Sequence, residues 1–168
     1  MPLSLFDLIN PAAFPSLWYW VVTAFLWSRL SHAPFGVPAD LYTQARAESD
    51  DEAFVMIKHS VIRHLDMVDR AGVWLTGAWG FGLTVLAVLS VGYQMQLAQA
   101  VLLLAAPYAL AQWATTRAAR RMTEDEPEIE SLMAAIRRLR VTLQVIGLAA
   151  IFVAALFGMI QNLRAALL

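Results

Sequence analysis

Residues 71–116 read AGVWLTGAWGFGLTVLAVLSVGYQMQLAQAVLLLAAPYALAQWATT, 46 positions without one Asp, Glu, Lys or Arg. A helical membrane span needs about 20 predominantly apolar residues to cross ~30 Å of hydrocarbon. This stretch is twice that long, and its centre, Gly92-Tyr93-Gln94, is an uncharged turn signal. It therefore reads as a hairpin of two spans, about 72–93 and 95–116.

Two further charge-free stretches flank the hairpin, residues 8–28 and 141–163. Each has room for one span, about 15–31 and 141–163. Pro15-Ser16 starts the first helix, since proline is tolerated in a first turn. Trp18, Tyr19 and Trp20 mark one lipid–water interface and Trp27 the other. Arg29, His32 and Pro34 end the span, and residues 34–38 (PFGVP) form an irregular elbow. The expected fold class is all-α: a four-helix transmembrane bundle in one domain, residues 1–168, with segments 32–71 and 117–140 outside the lipid.

Composition agrees. Hydrophobic residues make up 60% and charged residues 15%, against roughly 45–50% and about 25% in soluble domains. A water-soluble domain this small could not bury so much apolar surface. The N-terminus lacks the basic n-region of a secretory signal, so the first apolar stretch reads as a permanent span.

Basic residues near span ends set the orientation. Eleven of the 12 Lys and Arg side chains lie in the two long loops, leaving only Arg164 on the other side. Both loops are expected in the cytoplasm, with both termini and the 92–95 turn outside. In the first loop, Ser49-Asp50-Asp51-Glu52 fits a capping box. Phe54, Ile57, Val61, Leu65 and Val68 then recur at helical spacing. This amphipathic helix either lies on the membrane surface or runs straight into the second span. In the second loop, acidic residues at 124–128 start a helix that leads into the fourth span.

Two rows of small residues are candidate helix-packing sites: Gly72, Thr76, Gly80 and Thr84 on the second span, and Ala150, Ala154 and Gly158 on the fourth. Small residues let helix backbones approach in lipid, where the hydrophobic effect is absent. Such rows serve packing inside one bundle, or self-association and docking on a larger complex. Arg117, Arg120, Arg121, Arg137, Arg138 and Arg140 are candidate lipid-headgroup contacts. Gln112 and Gln144, each about a turn inside the membrane edge, could bond across helices. Pro107 is expected to kink the third span.

The chain offers little chemistry. It has no Cys, hence no disulfide, thiolate zinc site or Cys-ligated cluster of its own. The spans hold no ionisable residue, which points away from proton-coupled transport. No hydrolase, zincin or phosphate-cradling motif occurs. A lipid-headgroup enzyme would need His32, His59, His64 and loop carboxylates to converge. No cofactor, metal site or nucleic-acid partner is expected.

The segments 5–9 and 14–20, then Trp27-Ser28, Ser31-His32, Gly36-Val37-Pro38 and Ala45-Arg46, carry a resemblance that returns at 144–147, 151–152 and 158–163. They resemble small inner-membrane proteins of alphaproteobacteria related to Rhodobacter and Roseobacter, often labelled "component of the SufBCD complex". The resemblance implies a bacterial inner-membrane location and supplies no catalytic motif. The label names soluble iron–sulfur assembly machinery, whereas a chain without Cys has no thiolate to hold a cluster. The expectation is a non-enzymatic accessory or assembly protein whose partners are membrane lipids and a membrane protein, or a second copy of itself. The competing class is a homo-oligomeric passive channel lined by Thr76, Thr84 or the glutamines.

Overall fold

The computed structural model describes residues 17–32, 34–37, 51–124 and 129–167. The expected starts at Pro15-Ser16 and Ser49-Asp50, Pro38, and the acidic run at 125–128 lie outside the described residues, as does the Arg164 side chain. Among the described residues there is helix and no strand. Helix α1 is Leu17–His32, followed by a 3-10 turn at Pro34–Gly36. Helix α2 is Asp51–Ala87 and closes in a π-helical turn, Val88–Gly92. Helices α3, Gln96–Glu124, and α4, Ile129–Leu167, complete the chain.

Helices α2 (with its π turn), α3 and α4 are long and apolar enough to cross a membrane, as a multi-pass membrane protein requires. α1 has 16 described residues, about 24 Å at 1.5 Å per residue, and falls short of that length. α2 runs unbroken from its charged first half into its apolar second half. α4 does the same, with Glu130 in its first turn where a carboxylate complements the helix dipole. α3 continues as helix through Pro107.

Cross-helix contacts fix the registers. α2 and α3 are antiparallel, paired at Asp69 with Arg120, Trp79 with Tyr108, and Ser90 with Gln99. α3 meets α4 at Gln99 with Gln161, and again at Met122 with Leu132. α1 runs antiparallel to α4, from Tyr19 near Phe157 to Trp27 on Gly147. From Arg140 to Gln161, α4 rises about 31 Å, the depth of a hydrocarbon core.

Packing differs between the two ends. At the charged end, Ile57, Val61 and Leu65 of α2, Ala119 and Met122 of α3, and Leu132 and Ile136 of α4 form a buried cluster with Val37. In the apolar half small residues take part in the packing. Ala100, Ala111 and Ala154 are buried there, and Trp27, only 4% exposed, packs with Ala111, Leu139 and Leu143. This corrects its expected interfacial place: the indole lies on Gly147, where only a hydrogen leaves room for it. A Cβ at Gly147 would sit 2.9 Å from Trp27 Cε3.

The apolar half of α2 is the least covered. Only 6% of its most apolar window is buried, against 22% on α3 and on α4. Val73, Trp74 and Phe81 are 87%, 85% and 75% exposed. Thr23, Thr84 and Thr115 each return their hydroxyl to the carbonyl four residues back, at 2.7–2.9 Å, so none of the three presents a bare hydroxyl.

Gly147→Leu is expected to expel Trp27 and loosen α1, at a cost of about 1–3 kcal/mol for overpacking. Gly80→Leu, into open space, is expected to leave stability unchanged. Thermal unfolding of the two variants in detergent checks this, and equal melting temperatures would contradict it.

Candidate functional site

A strict spacing of four does not follow one edge of a helix. Each step turns 400°, so the row advances 40° around the helix every four residues. On α2 the edge against α3 carries Asp69, Trp79 and Ser90. By that count Gly72 and Thr76 fall within the arc between Trp79 and Asp69, and Gly80 and Thr84 wind out of it. A Cβ built at Gly72 or Gly80 meets no atom within 4 Å, and Thr76, Gly80 and Thr84 are exposed. As a packing row inside this chain the α2 stripe is therefore corrected from Thr76 onward, where it faces outward, while Gly72 is half-buried.

The α4 row behaves oppositely. Ala154 is 1% exposed, Gly158 is buried, and Ala150 packs with the Trp27 cluster. It continues an inward series through Leu139, Leu143 and Gly147, whose mixed steps of four and three track a single edge. Gly147 is the position sequence reading missed. Its signal was present, since it extends the 150–154–158 row by one turn.

The polar link between helices also sits elsewhere than expected. No hydrogen bond joins Gln112 to Gln144, and Gln144 is exposed. The link lies at the other end of the molecule. Gln161 Nε2 donates to Gln99 Oε1 at 2.9 Å, and Gln99 Nε2 donates to the Ser90 carbonyl at 3.0 Å. The π turn makes this possible by shifting carbonyls out of the regular ladder. It also lets the Met95 amide donate to the Leu89 carbonyl at 3.2 Å.

The six candidate headgroup arginines fall at the charged edge of the apolar half, in three environments. Arg120 Nη2 lies 2.9 Å from Asp69 Oδ1, with both side chains more than half exposed, a pair worth roughly 0.2–1 kcal/mol. The Arg117 guanidinium sits 5.2 Å over the Trp113 ring, a cation–π contact. Arg121, Arg137 and Arg138 are exposed, and Arg140 is half-buried.

The histidines do not converge. His32 bonds the Ser28 carbonyl through Nδ1 at 2.9 Å, and His59 is exposed. His64 stands edge-on to Phe35, with ring centroids 5.5 Å apart. Its Nε2 is buried without a hydrogen-bond partner. Phe35 itself holds φ of 62°, an uncommon backbone state for a bulky residue. Among the described residues no three His, Asp or Glu side chains gather as a metal site would need. Comparison with family models, with curated proteins and with solved structures gives no match.

Burial pushes the His64 imidazole below its ordinary value of 6.5. A neutral imidazole thus supports the fold above about pH 6.5, and that support is lost as pH falls through the lowered folded value. On acidification the wild-type melting temperature is expected to fall further than that of His64→Leu. Differential scanning fluorimetry in detergent reads the difference, and parallel pH profiles would remove His64 from the account.

Proposed function

We propose that this chain is a non-enzymatic bacterial inner-membrane protein with four spans, which docks on a partner helix of a larger membrane complex. The carrying observation is the outward-facing row on α2. In its apolar half α2 pairs with α3, and there it presents Thr76 and Gly80 to its surroundings, with Gly72 half-buried. In lipid, such a surface gains from close backbone contact with another helix. The Thr84 hydroxyl is already spent on the Gly80 carbonyl, and Gln99 and Gln161 are spent on each other. These bonds leave few groups to line a pore, and docking is the reading we prefer to the oligomeric channel.

α1 is the fourth span on this reading. Its contacts with α4 run from Phe157 down to Gly147 and Leu143, inside the apolar depth of α4. The arginine count places the charged end in the cytoplasm and both termini in the periplasm. The first halves of α2 and α4 then stand in water with their apolar sides turned onto each other, not flat on the membrane.

The absence of Cys makes labelling direct. In intact cells a membrane-impermeant maleimide is expected to label Tyr93→Cys, and to reach His59→Cys only after permeabilisation. The reverse pattern would invert the topology. For docking, affinity purification from native membranes in mild detergent is expected to bring a stoichiometric membrane partner. Gly80→Leu should lose most of that partner while retaining its own melting temperature. Recovery of this chain alone as a monomer would sink the docking proposal.

A further inference from the structure

Just below the apolar half of α2, Arg63, Asp66, Met67, Arg70 and Ala71 line an open concavity of about 400 Å³. All but Ala71 are exposed. Asp69 on the neighbouring face is engaged with Arg120, whereas no ion pair joins Asp66 to Arg63 or Arg70. The concavity thus offers two guanidinium groups and one carboxylate, none engaged with another.

Their order along the helix matters. Ala71 supplies apolar contact where the charge-free run begins, and Met67 lies about 4.5 Å along the axis on the water side of Arg70. Arg70 comes first beyond it. Asp66 lies one turn further out, about 6 Å along the axis, and Arg63 about 10 Å beyond Arg70. A phospholipid seated here meets the same sequence from acyl chain to water: apolar glycerol region, phosphate, then the headgroup terminus. Arg70 matches the phosphate, which guanidinium groups bind strongly. Asp66 sits where the headgroup ends, and a carboxylate there favours a cation that donates hydrogen bonds.

From this charge complementarity we infer that the concavity binds the zwitterionic headgroup of an aminophospholipid of the phosphatidylethanolamine type. Arg70 holds the phosphate, and the Asp66 carboxylate accepts from the primary ammonium. Two neighbouring headgroups fit less well. The quaternary ammonium of phosphatidylcholine has no N–H to donate. The terminal glycerol of phosphatidylglycerol places no positive charge near Asp66. The inference rests on α2 crossing the membrane as proposed above.

The test uses the full chain in nanodiscs of equimolar phosphatidylethanolamine, phosphatidylglycerol and phosphatidylcholine, with native mass spectrometry of the lipids it retains. Phosphatidylethanolamine is expected to be retained over phosphatidylcholine by about two- to fivefold, the scale of an exposed charge pair. Asp66→Asn should bring that ratio to parity without lowering phosphatidylglycerol retention, and Arg70→Gln should weaken all three. Both residues are exposed, so neither variant disturbs the core. Equal retention of ethanolamine and choline lipids by the wild type would overturn the site, as would a preference that survives Asp66→Asn. Retention dominated by phosphatidylglycerol would overturn it too, by making the patch merely anion-binding. Flotation with liposomes in alkaline carbonate separates the two failures. A chain that does not float loses the spanning reading itself, and one that floats without headgroup preference loses only this site.

Discussion

Ile57, Val61 and Leu65 meet Ala119, Met122, Leu132 and Ile136 at the charged end of the molecule, and the rest of the arrangement hangs on that contact. The hydrophobic effect acts only where apolar surface leaves water. On the membrane reading, this end is where α2, α3 and α4 have water to escape. Each fully buried Ile or Leu side chain there contributes about 1.5–3 kcal/mol. Inside lipid no such force joins helices, and packing and hydrogen bonds must suffice. The clamp at the charged end is therefore what allows α2 to lean on α3 through a few contacts and leave its other faces open.

α1 is held differently. It has the elbow at one end, where Phe35 packs beside His64 in a left-handed backbone state. Along its length it relies on close approach, with Trp27 flat on Gly147 and Tyr19 near Ala100. A large rigid ring against a bare backbone gathers many dispersion contacts in one place. The same economy appears at the far end. There one amide chain, Gln161 to Gln99 to the Ser90 carbonyl, ties α4, α3 and the π turn together.

Much of this was legible in the sequence. Charge-free runs mark the spans because a charge at membrane depth is costly, and the three long apolar helices lie where those runs lie. The period of Ile57, Val61 and Leu65 identified a buried edge, since burial selects that spacing. What could not be read was the identity of each partner. Gln112 and Gln144 have the same composition as Gln99 and Gln161, and only the helix registers decide which pair meets. Trp27 has the profile of an interfacial anchor, and its burial depends on a glycine 120 positions away in sequence. The candidate site was legible as a list of small residues and not as a surface, because the list does not say which way the residues face.

That direction is given by burial: Leu139, Leu143, Gly147, Ala154 and Gly158 are buried, whereas Thr76, Gly80 and Thr84 are exposed. On α4 the series 139, 143, 147, 150, 154, 158 keeps within a stripe about 100° wide, because its one step of three turns the row back. Small residues in it become interior packing against Trp27 and α3. On α2 the unbroken steps of four from Gly72 to Thr84 sweep 120° around the helix and leave the α3 edge by Gly80. Two rows of similar composition therefore do opposite work. The α4 row is used up inside the chain, and the α2 row remains available to a helix that the chain does not itself contain.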